Sequence, residues 1–352
     1  MAKVDRDTRM TLPTPLLIRG LPGSPYTRKL LALLRYRGIA YRLLLGGSSN
    51  ASDLPLPRVP LIPTVYLLNT EGELEAMVDS TPLIRRFEQE FSDRSVIPPD
   101  PVVAFFDYLL EDYADEWLTK AMFHYRWSYQ SDIQKCEEIL VRWTGISEPE
   151  ERLQQQGQAF GKRQVDRLYV VGSNSTTGPL IEASYQRFLT IFKNVLEQQP
   201  YLMGHRPGAS DFGVYGQLTQ LAQFDPTPMS LTLREAPRVY AWVDIVDDLS
   251  GYEVDDKNWL SRDALKARLG DLLGEIGRTY VPVMLANVEA LMRGTEQVSA
   301  TVDGQSWIQQ PFPYQGKCVQ RIRQQYEDFS SVDREFVDSV LAGSGCEDLV
   351  KP

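Results

Sequence analysis

The sequence of 352 residues predicts an α/β domain, then an all-helical domain, then a mainly helical extension that contains a β-hairpin. Four observations predict this order. Apolar strand-like runs alternate with helical spacing at first, a linker with three prolines follows, and the pattern is then helical almost throughout. Near the end, Asp303-Gly304 lies between two alternating segments, which is the strongest short signal for a hairpin. The predicted domains are 1–94, 101–250 and 251–352, with the hairpin near 298–310.

The first domain alternates between strands and helices. Apolar and β-branched runs predict strands, and leucines spaced three and four residues apart predict helices. Gly38 is suited to end the first helix, and a loop rich in Gly, Ser and Pro covers 46–60. The predicted order is strand 14–19, helix 25–37, strand 40–45, strand 61–68, strand 73–78 and helix 82–91.

Helical spacing dominates the rest of the chain. The segment 102–129 is predicted as one long helix, and its many aromatic residues mostly indicate core packing. Further helices are predicted at 132–143, 150–169, 179–197, 211–223 and 234–248, and in the extension at 261–276, 281–293 and 314–341.

Composition excludes several functions. The chain is 43% hydrophobic and 24% charged, which is typical of a globular protein, and its net charge is -10. Because phosphate binding needs a basic surface, a nucleic-acid partner is not expected. We find no run of about 18 apolar residues and no secretory signal over 1–10, so neither a membrane partner nor export is predicted.

The cysteines and histidines are few and scattered. Cys136, Cys318 and Cys346 form no CxxC pair, which argues against a disulfide framework and favours a reducing, cytoplasmic location. His124 and His205 are isolated, so neither a metal site nor a Ser-His-Asp triad is expected.

The stretch Ser24-Pro25-Tyr26-Thr27 stands where a strand passes into a helix. Pro25 is suited to the first helical position, where its missing N–H costs nothing. The free N–H groups and partial positive charge of a helix start favour anions, including thiolates. Ser24 would therefore either cap its helix or hold the sulfur anion of a bound thiol, and Tyr26 is a rival hydroxyl donor.

Two further positions carry related signals. Pro63 interrupts an apolar strand, and it fits either a cis proline that leaves the backbone of Ile62 open to a peptide ligand or a trans proline on an edge strand. Asp79-Ser80 begins a second helix, where Ser80 could bind a carboxylate and Asp79 an ammonium group. Simple capping of that helix is the alternative.

Together these motifs resemble the glutathione S-transferase family. Its thioredoxin-like N-terminal domain has a Ser or Cys at the start of the first helix, a cis proline before the third strand, and an acidic residue plus Ser at the start of the third helix. Ser24, Pro63 and Asp79-Ser80 stand at those positions. In the helical part, Tyr201 to Phe212 is similar to the start of the family's buried helix, with Gly208 where a Ser or Thr cap is usual. Pro237 to Trp242 is similar to its closing helix, so the resemblance covers about residues 14 to 250.

The resemblance implies glutathione as co-substrate and a homodimer. Ser24 would donate to the sulfur, Ile62 and Pro63 would bind the cysteinyl backbone, and Asp79 and Ser80 would hold the γ-glutamyl end. The glycyl carboxylate would meet Arg42, Arg58 or Arg28. No Tyr stands at 19 or 20 and no Cys at 24, which argues against the tyrosine-dependent classes and against glutaredoxin-like reduction.

An electrophile site is expected between the domains, against the helix that begins near 102. Tyr108, Tyr113 and Trp117 are candidates to line it, with core packing as the alternative. The sequence therefore predicts a glutathione transferase that activates the thiolate for attack on an electrophilic small molecule. Conjugation is the expected reaction, and isomerisation, ether cleavage and dehalogenation by the same activated thiol are alternatives to it. The alternatives to a transferase are a non-catalytic binding or assembly protein of the same fold and a structural helical protein without a thiol ligand.

Overall fold

The computed structural model describes residues 14–45 and 53–351. Its first part is a four-stranded mixed sheet in the order β2-β1-β3-β4. β1 is parallel to β2 and antiparallel to β3, and β3 is antiparallel to β4. The elements are β1 Leu16–Arg19, α1 Pro25–Tyr36, β2 Tyr41–Leu44, β3 Thr64–Leu68, β4 Leu74–Met77 and α2 Ser80–Glu90. The predicted α/β architecture of the first domain is confirmed, and part of the predicted loop 46–60 lies outside the described residues.

The second part is helical, as predicted. The expected long helix is one continuous helical run, but a π turn at Ala114–Leu118 divides it. The sequence analysis does not predict helix α9, because two prolines lie at its start. Proline is nevertheless tolerated in the first turn of a helix, so the helix forms. The helices are α3 Pro101–Tyr113, α4 Thr119–Ser128, α5 Gln130–Arg142, α6 Glu150–Val165, α7 Gly178–Leu196, α8 Ala209–Leu218, α9 Pro226–Glu235 and α10 Pro237–Asp247, with a second π turn at Thr219–Phe224.

The extension begins with one long helix, α11 Leu265–Arg293, where the sequence predicts two. Pro282 lies inside it and removes one backbone hydrogen bond, but the residues on both sides are buried, so tertiary packing keeps the helix continuous. The predicted hairpin forms as β5 Val298–Val302 and β6 Gln305–Gln309. The last predicted helix is divided into α12 Pro313–Glu327 and α13 Ser331–Leu341, with Ser330 capping the second.

The extension packs onto the helical domain through aromatic side chains. Tyr280 of α11 contacts Tyr113, Trp307 of β6 contacts Trp117, and Phe329 contacts Phe105, with ring centroids 5.4–6.2 Å apart. Buried apolar side chains from all three segments form one contiguous core. Among the described helices, none has the length and apolar character that a membrane span requires.

The N-cap residue of helix α8 is Gly208, which has no side chain to cap the helix. A residue from another helix does this instead: the carboxylate of Asp107 accepts from the backbone N–H of Ala209 and of Ser210, at 3.2 and 2.9 Å. A Cβ at position 208 would lie 2.4 Å from Asp107 Oδ1. The glycine therefore makes room for a cap that α3 supplies.

We expect the free energy of unfolding to rise as the pH falls from about 8 to about 6. Burial raises the pKa of Asp107 to about 7 and that of Asp211 to about 8, since neither carboxylate is fully compensated by its hydrogen bonds. The folded protein then takes up protons that the unfolded chain does not, and it loses this stability as the pH rises through those values. Urea unfolding at pH 6 and pH 8 measures the difference.

Asp107→Asn is the control for this pH dependence. It removes one titrating group, so the difference in unfolding free energy between pH 6 and pH 8 should shrink. The variant also loses one acceptor at the start of α8 and should be about 1 kcal/mol less stable. An unchanged difference between the two pH values would show that Asp107 keeps an ordinary pKa.

Candidate active site

Three predicted motifs meet at one end of the sheet. The register pairs Arg19, the last residue of β1, with Thr64, the first residue of β3. It also pairs Val65 with Met77 at the end of β4. The segments that follow β1, precede β3 and follow β4 therefore lie at the same end of the sheet. These segments carry Ser24, Ile62-Pro63 and Asp79-Ser80 respectively.

The Ser24 side chain caps α1. Its Oγ accepts from the backbone N–H of Thr27 at 3.2 Å, and Pro25 occupies the first helical position. The loop before it is held by the helical domain: Arg126 donates to the Gly23 carbonyl at 2.9 Å, and Gln220 donates to the Pro22 carbonyl at 3.1 Å. As a capping acceptor, the hydroxyl keeps its own proton to donate to a second group.

Tyr26, the rival donor, points into the helical domain. Its hydroxyl donates to the Asp115 carbonyl at 2.8 Å and lies 3.2 Å from Thr119 Oγ1. Burial, together with the charges of Glu116 and Asp115, raises its pKa well above the ordinary value. The phenol is therefore engaged elsewhere and held in its protonated form, which differs from the role expected from its place in the sequence.

The Ile62-Pro63 peptide bond is cis. Pro63 is buried, and Ile62 lies just outside the paired part of β3. Thr64 fixes the turn by donating from Oγ1 to the Leu61 carbonyl at 2.7 Å. Of the two isomers that the sequence left open, the structure has the cis form.

Asp79 has φ +79° and ψ 106°, a backbone conformation that is strained for a residue with a side chain. Its Oδ1 accepts from the backbone N–H of Thr81 at 3.3 Å, so it caps α2, and Ser80 beside it is buried. Its other carboxylate oxygen, Oδ2, accepts from the hydroxyl of Tyr314 at 2.7 Å. Strained residues of this kind concentrate at functional sites.

The structure contains a buried charge cluster that the sequence analysis does not predict. Lys29 of α1 is fully buried, and its Nζ lies 2.7 Å from Glu111 Oε1 and 2.5 Å from Asp115 Oδ2. Arg85 of α2 pairs with the other oxygen of Glu111. Thr81 donates to Glu111 at 3.0 Å. The cluster joins α1 and α2 of the sheet domain to α3 and its π turn.

The pKa values of this cluster follow from burial and charge. Burial raises the pKa of Glu111, but Arg85 and Lys29 lower it by more, to about 2. Burial raises the pKa of Asp115 to about 6, against the lowering effect of Lys29. Burial lowers the pKa of Lys29, and its two carboxylate partners raise it by more, so the ammonium stays charged.

The residues expected to line the electrophile site are buried, and the extension covers two of them. The ring of Tyr113 contacts Tyr280, and Trp117 contacts Trp307 and donates to Ser184 Oγ at 2.7 Å. Tyr108 lies under the guanidinium of Arg85, 4.9 Å from its ring centroid. All three are buried, so core packing is the alternative that the structure favours.

The arginines expected near the glycyl carboxylate differ in their surroundings. Arg28 pairs with Asp247 at 2.7 Å and lies over the ring of Tyr215. Arg42 and Arg58 are exposed. The structure therefore leaves Arg42 and Arg58 more accessible than Arg28.

Residues 19–95 match the model of the glutathione S-transferase N-terminal domain. Among proteins of curated function, none matches the chain significantly. The chain is similar to a glutathione transferase family member from Pseudomonas fluorescens Pf-5 solved with two glutathione bound, at 11% identity over 65% of this chain and 87% of that one, with a TM-score of 0.41.

Two other solved structures are similar over a comparable share of the chain. One is a glutathione S-transferase from Methylobacterium radiotolerans in complex with glutathione sulfonate, at 16% identity over 66% of this chain and 90% of that one, with a TM-score of 0.39. The other is the β-etherase LigF from Sphingobium sp. strain SYK-6, at 16% identity over 66% of this chain and 94% of that one, with a TM-score of 0.43. The match identifies residues 19–95 as a glutathione S-transferase N-terminal domain, which is the thioredoxin-like domain that the sequence predicts.

Proposed function

We propose that the chain is a glutathione transferase in which Ser24 stabilises the thiolate of glutathione for attack on an electrophilic small molecule. The observation that supports this most is the strand register, which puts Ser24, Ile62-Pro63 and Asp79-Ser80 on segments at one end of the sheet. Two helix starts with free N–H groups and one turn of backbone then face one small anionic peptide.

Each part of glutathione has a matching group in this proposal. The hydroxyl of Ser24 and the start of α1 stabilise the sulfur anion. The backbone at Ile62 and Pro63 pairs with the cysteinyl residue, and Asp79 and Ser80 bind the γ-glutamyl end. The thiol proton passes to solvent, the sulfur forms a bond to the electrophilic carbon, and the leaving group departs with its electron pair.

Ser24→Ala is expected to lower kcat/KM for conjugation of an activated aryl halide about tenfold. Stabilisation by the hydroxyl that brings the thiol pKa from about 8.5 towards neutrality raises the thiolate fraction at pH 7 from a few per cent to about half. The variant should therefore show a higher pKa for bound glutathione in a titration of its ultraviolet thiolate absorbance. Tyr26→Phe is the control and should leave that pKa unchanged, because its hydroxyl is bonded within the helical domain. Equal thiol pKa values in wild type and Ser24→Ala would refute the role of Ser24.

The second candidate function is a non-catalytic binding or assembly protein of the same fold. The packing of Tyr280 and Trp307 over Tyr113 and Trp117 favours it, because these contacts cover the place where an electrophile is expected. Glutathione binding measured by calorimetry, without turnover of any of a panel of electrophiles, would support this candidate over a transferase.

We also propose a cytoplasmic homodimer. The family resemblance supports the dimer, and the three cysteines, which are buried and unpaired, fit a reducing compartment. Sedimentation equilibrium of the full chain should give twice the mass of one chain, and a mass equal to one chain would overturn the dimer.

A further inference from the structure

The extension reaches the candidate site through helix α12. The hydroxyl of Tyr314 donates to Asp79 Oδ2 at 2.7 Å, and Nη1 of Arg321 lies 3.8 Å from the same oxygen. Both side chains come from a part of the chain more than two hundred residues away from Asp79. A cation and a hydroxyl therefore lie at the first turn of α2, beside the carboxylate proposed to bind an ammonium group.

Helix α12 is firmly held in this position. Its inner face, with Gln315, Cys318 and Val319, is buried, and α12 packs against α3 and α11. Asn287 of α11 fixes the residue before the helix from both sides: its Oδ1 accepts from the N–H of Phe312 at 2.7 Å, and its Nδ2 donates to the Phe312 carbonyl at 3.0 Å. The helix therefore forms a rigid wall of the site, and the positions of its side chains are fixed before a ligand binds.

The charges at this wall match one chemical group. The γ-glutamyl end of glutathione carries an ammonium and a carboxylate on the same carbon, so its binding needs an anion and a cation side by side. Asp79 and Arg321 are such a pair, and the Arg321 side chain is 42% exposed, so that it remains accessible to a ligand. A guanidinium binds a carboxylate through two parallel hydrogen bonds.

Resting on the proposed function, we propose that Arg321 binds the α-carboxylate of the γ-glutamyl group while Asp79 binds its ammonium. The ligand's two charges then replace the long contact between Arg321 and Asp79 with two close ones. The extension is, in this proposal, a component of the glutathione site and determines its specificity for an α-amino-acid end.

Calorimetric binding of two probes to the full-length protein tests this assignment. The probes are glutathione and 4-aminobutanoyl-cysteinylglycine, which lacks only the α-carboxylate of the γ-glutamyl group. Arg321→Ala should weaken glutathione binding about tenfold or more, as expected for the loss of a charge-assisted hydrogen bond, and should change binding of the analogue less than twofold. Lys317→Ala, which removes an exposed cation from the same helix, should leave both affinities unchanged.

The outcomes are distinct. Selective weakening of glutathione supports the role of Arg321, and retained binding of the analogue shows that the variant is folded. Unchanged or tighter glutathione binding in Arg321→Ala overturns the assignment while the proposed function stands. Equal weakening of both probes also overturns it, because the α-carboxylate is then not the group recognised. Absence of glutathione binding to the wild type refutes the proposed function, and this inference falls with it.

Discussion

Lys29→Met is expected to lower the free energy of unfolding by about 3–5 kcal/mol, which is typical of removing one partner from a buried ion pair. The ammonium of Lys29 lies between Glu111 and Asp115 with no exposure to solvent. Methionine fills a similar volume, so the loss comes from the charge and not from a cavity. Urea unfolding monitored by tryptophan fluorescence measures it.

Most of the lost free energy of unfolding comes from leaving the Asp115 carboxylate without a cation. Glu111 keeps Arg85 as a partner, whereas Asp115 loses its closest cation and its Oδ1 is already buried without a hydrogen bond among the described residues. The pKa of Asp115 should then rise above its value of about 6, because the lowering effect of Lys29 is gone. The variant should therefore be less destabilised at pH 5, where Asp115 takes up a proton in the folded state, than at pH 8.

Two further variants control this result. Lys29→Met with Asp115→Asn removes the uncompensated charge and should recover part of the stability. Lys162→Met makes the same change in an exposed ion pair with Asp166 and should alter stability by less than about 0.5 kcal/mol. A loss in Lys29→Met no larger than that in Lys162→Met would contradict the buried network.

The second large effect is expected from Trp307→Ala, with a loss of about 3–5 kcal/mol in the free energy of unfolding. The indole is fully buried, with its ring centroid 5.4 Å from that of Trp117. Its Nε1 donates to Gln309 Oε1 at 3.1 Å, and the Lys120 ammonium lies 5.5 Å from the ring. Alanine removes the packing and leaves a cavity between the hairpin and the helical domain.

Ile308→Ala is the matched control, because residue 308 is the next residue of the same strand and is exposed. Its effect should stay below about 0.5 kcal/mol. Hydrogen exchange should show the hairpin amides of Trp307→Ala opening more readily, while those of the four-stranded sheet keep their protection. Similar losses in the two variants would mean that the hairpin does not rest on the helical domain through Trp307.

The parts of the fold that the sequence predicts well depend on neighbouring residues. Asp303 and Gly304 both have positive φ, as a tight hairpin turn requires, so the dipeptide is sufficient to locate the turn. Ser24 and Pro25 begin α1 where the helix-start pattern places them. The predictions go wrong where packing overrides the local pattern: the two helices predicted at 261–276 and 281–293 are one helix that continues through Pro282, because buried contacts on both sides hold it together.

The residues of the candidate site also differ in how well the sequence predicts them. Ser24, Pro63 and Asp79 are recognisable along the chain because each stands at a strand or helix boundary, and the register then brings them together. Tyr26 is misleading in sequence, because two residues rotate a helix by about 200°, so its hydroxyl faces the helical domain and meets Asp115 instead of lying beside Ser24. No spacing pattern signals that contact.

Propensities and periodicity over a few residues are enough to predict the α/β and helical segments, the two helix starts and the hairpin. Three contacts are visible only in the folded chain: Lys29 is buried between two carboxylates, Tyr314 and Arg321 reach Asp79, and Trp307 covers Trp117. Each of these depends on the docking of elements far apart in the chain. Burial then changes the strength of every charge and hydrogen bond at that interface, which local sequence does not encode.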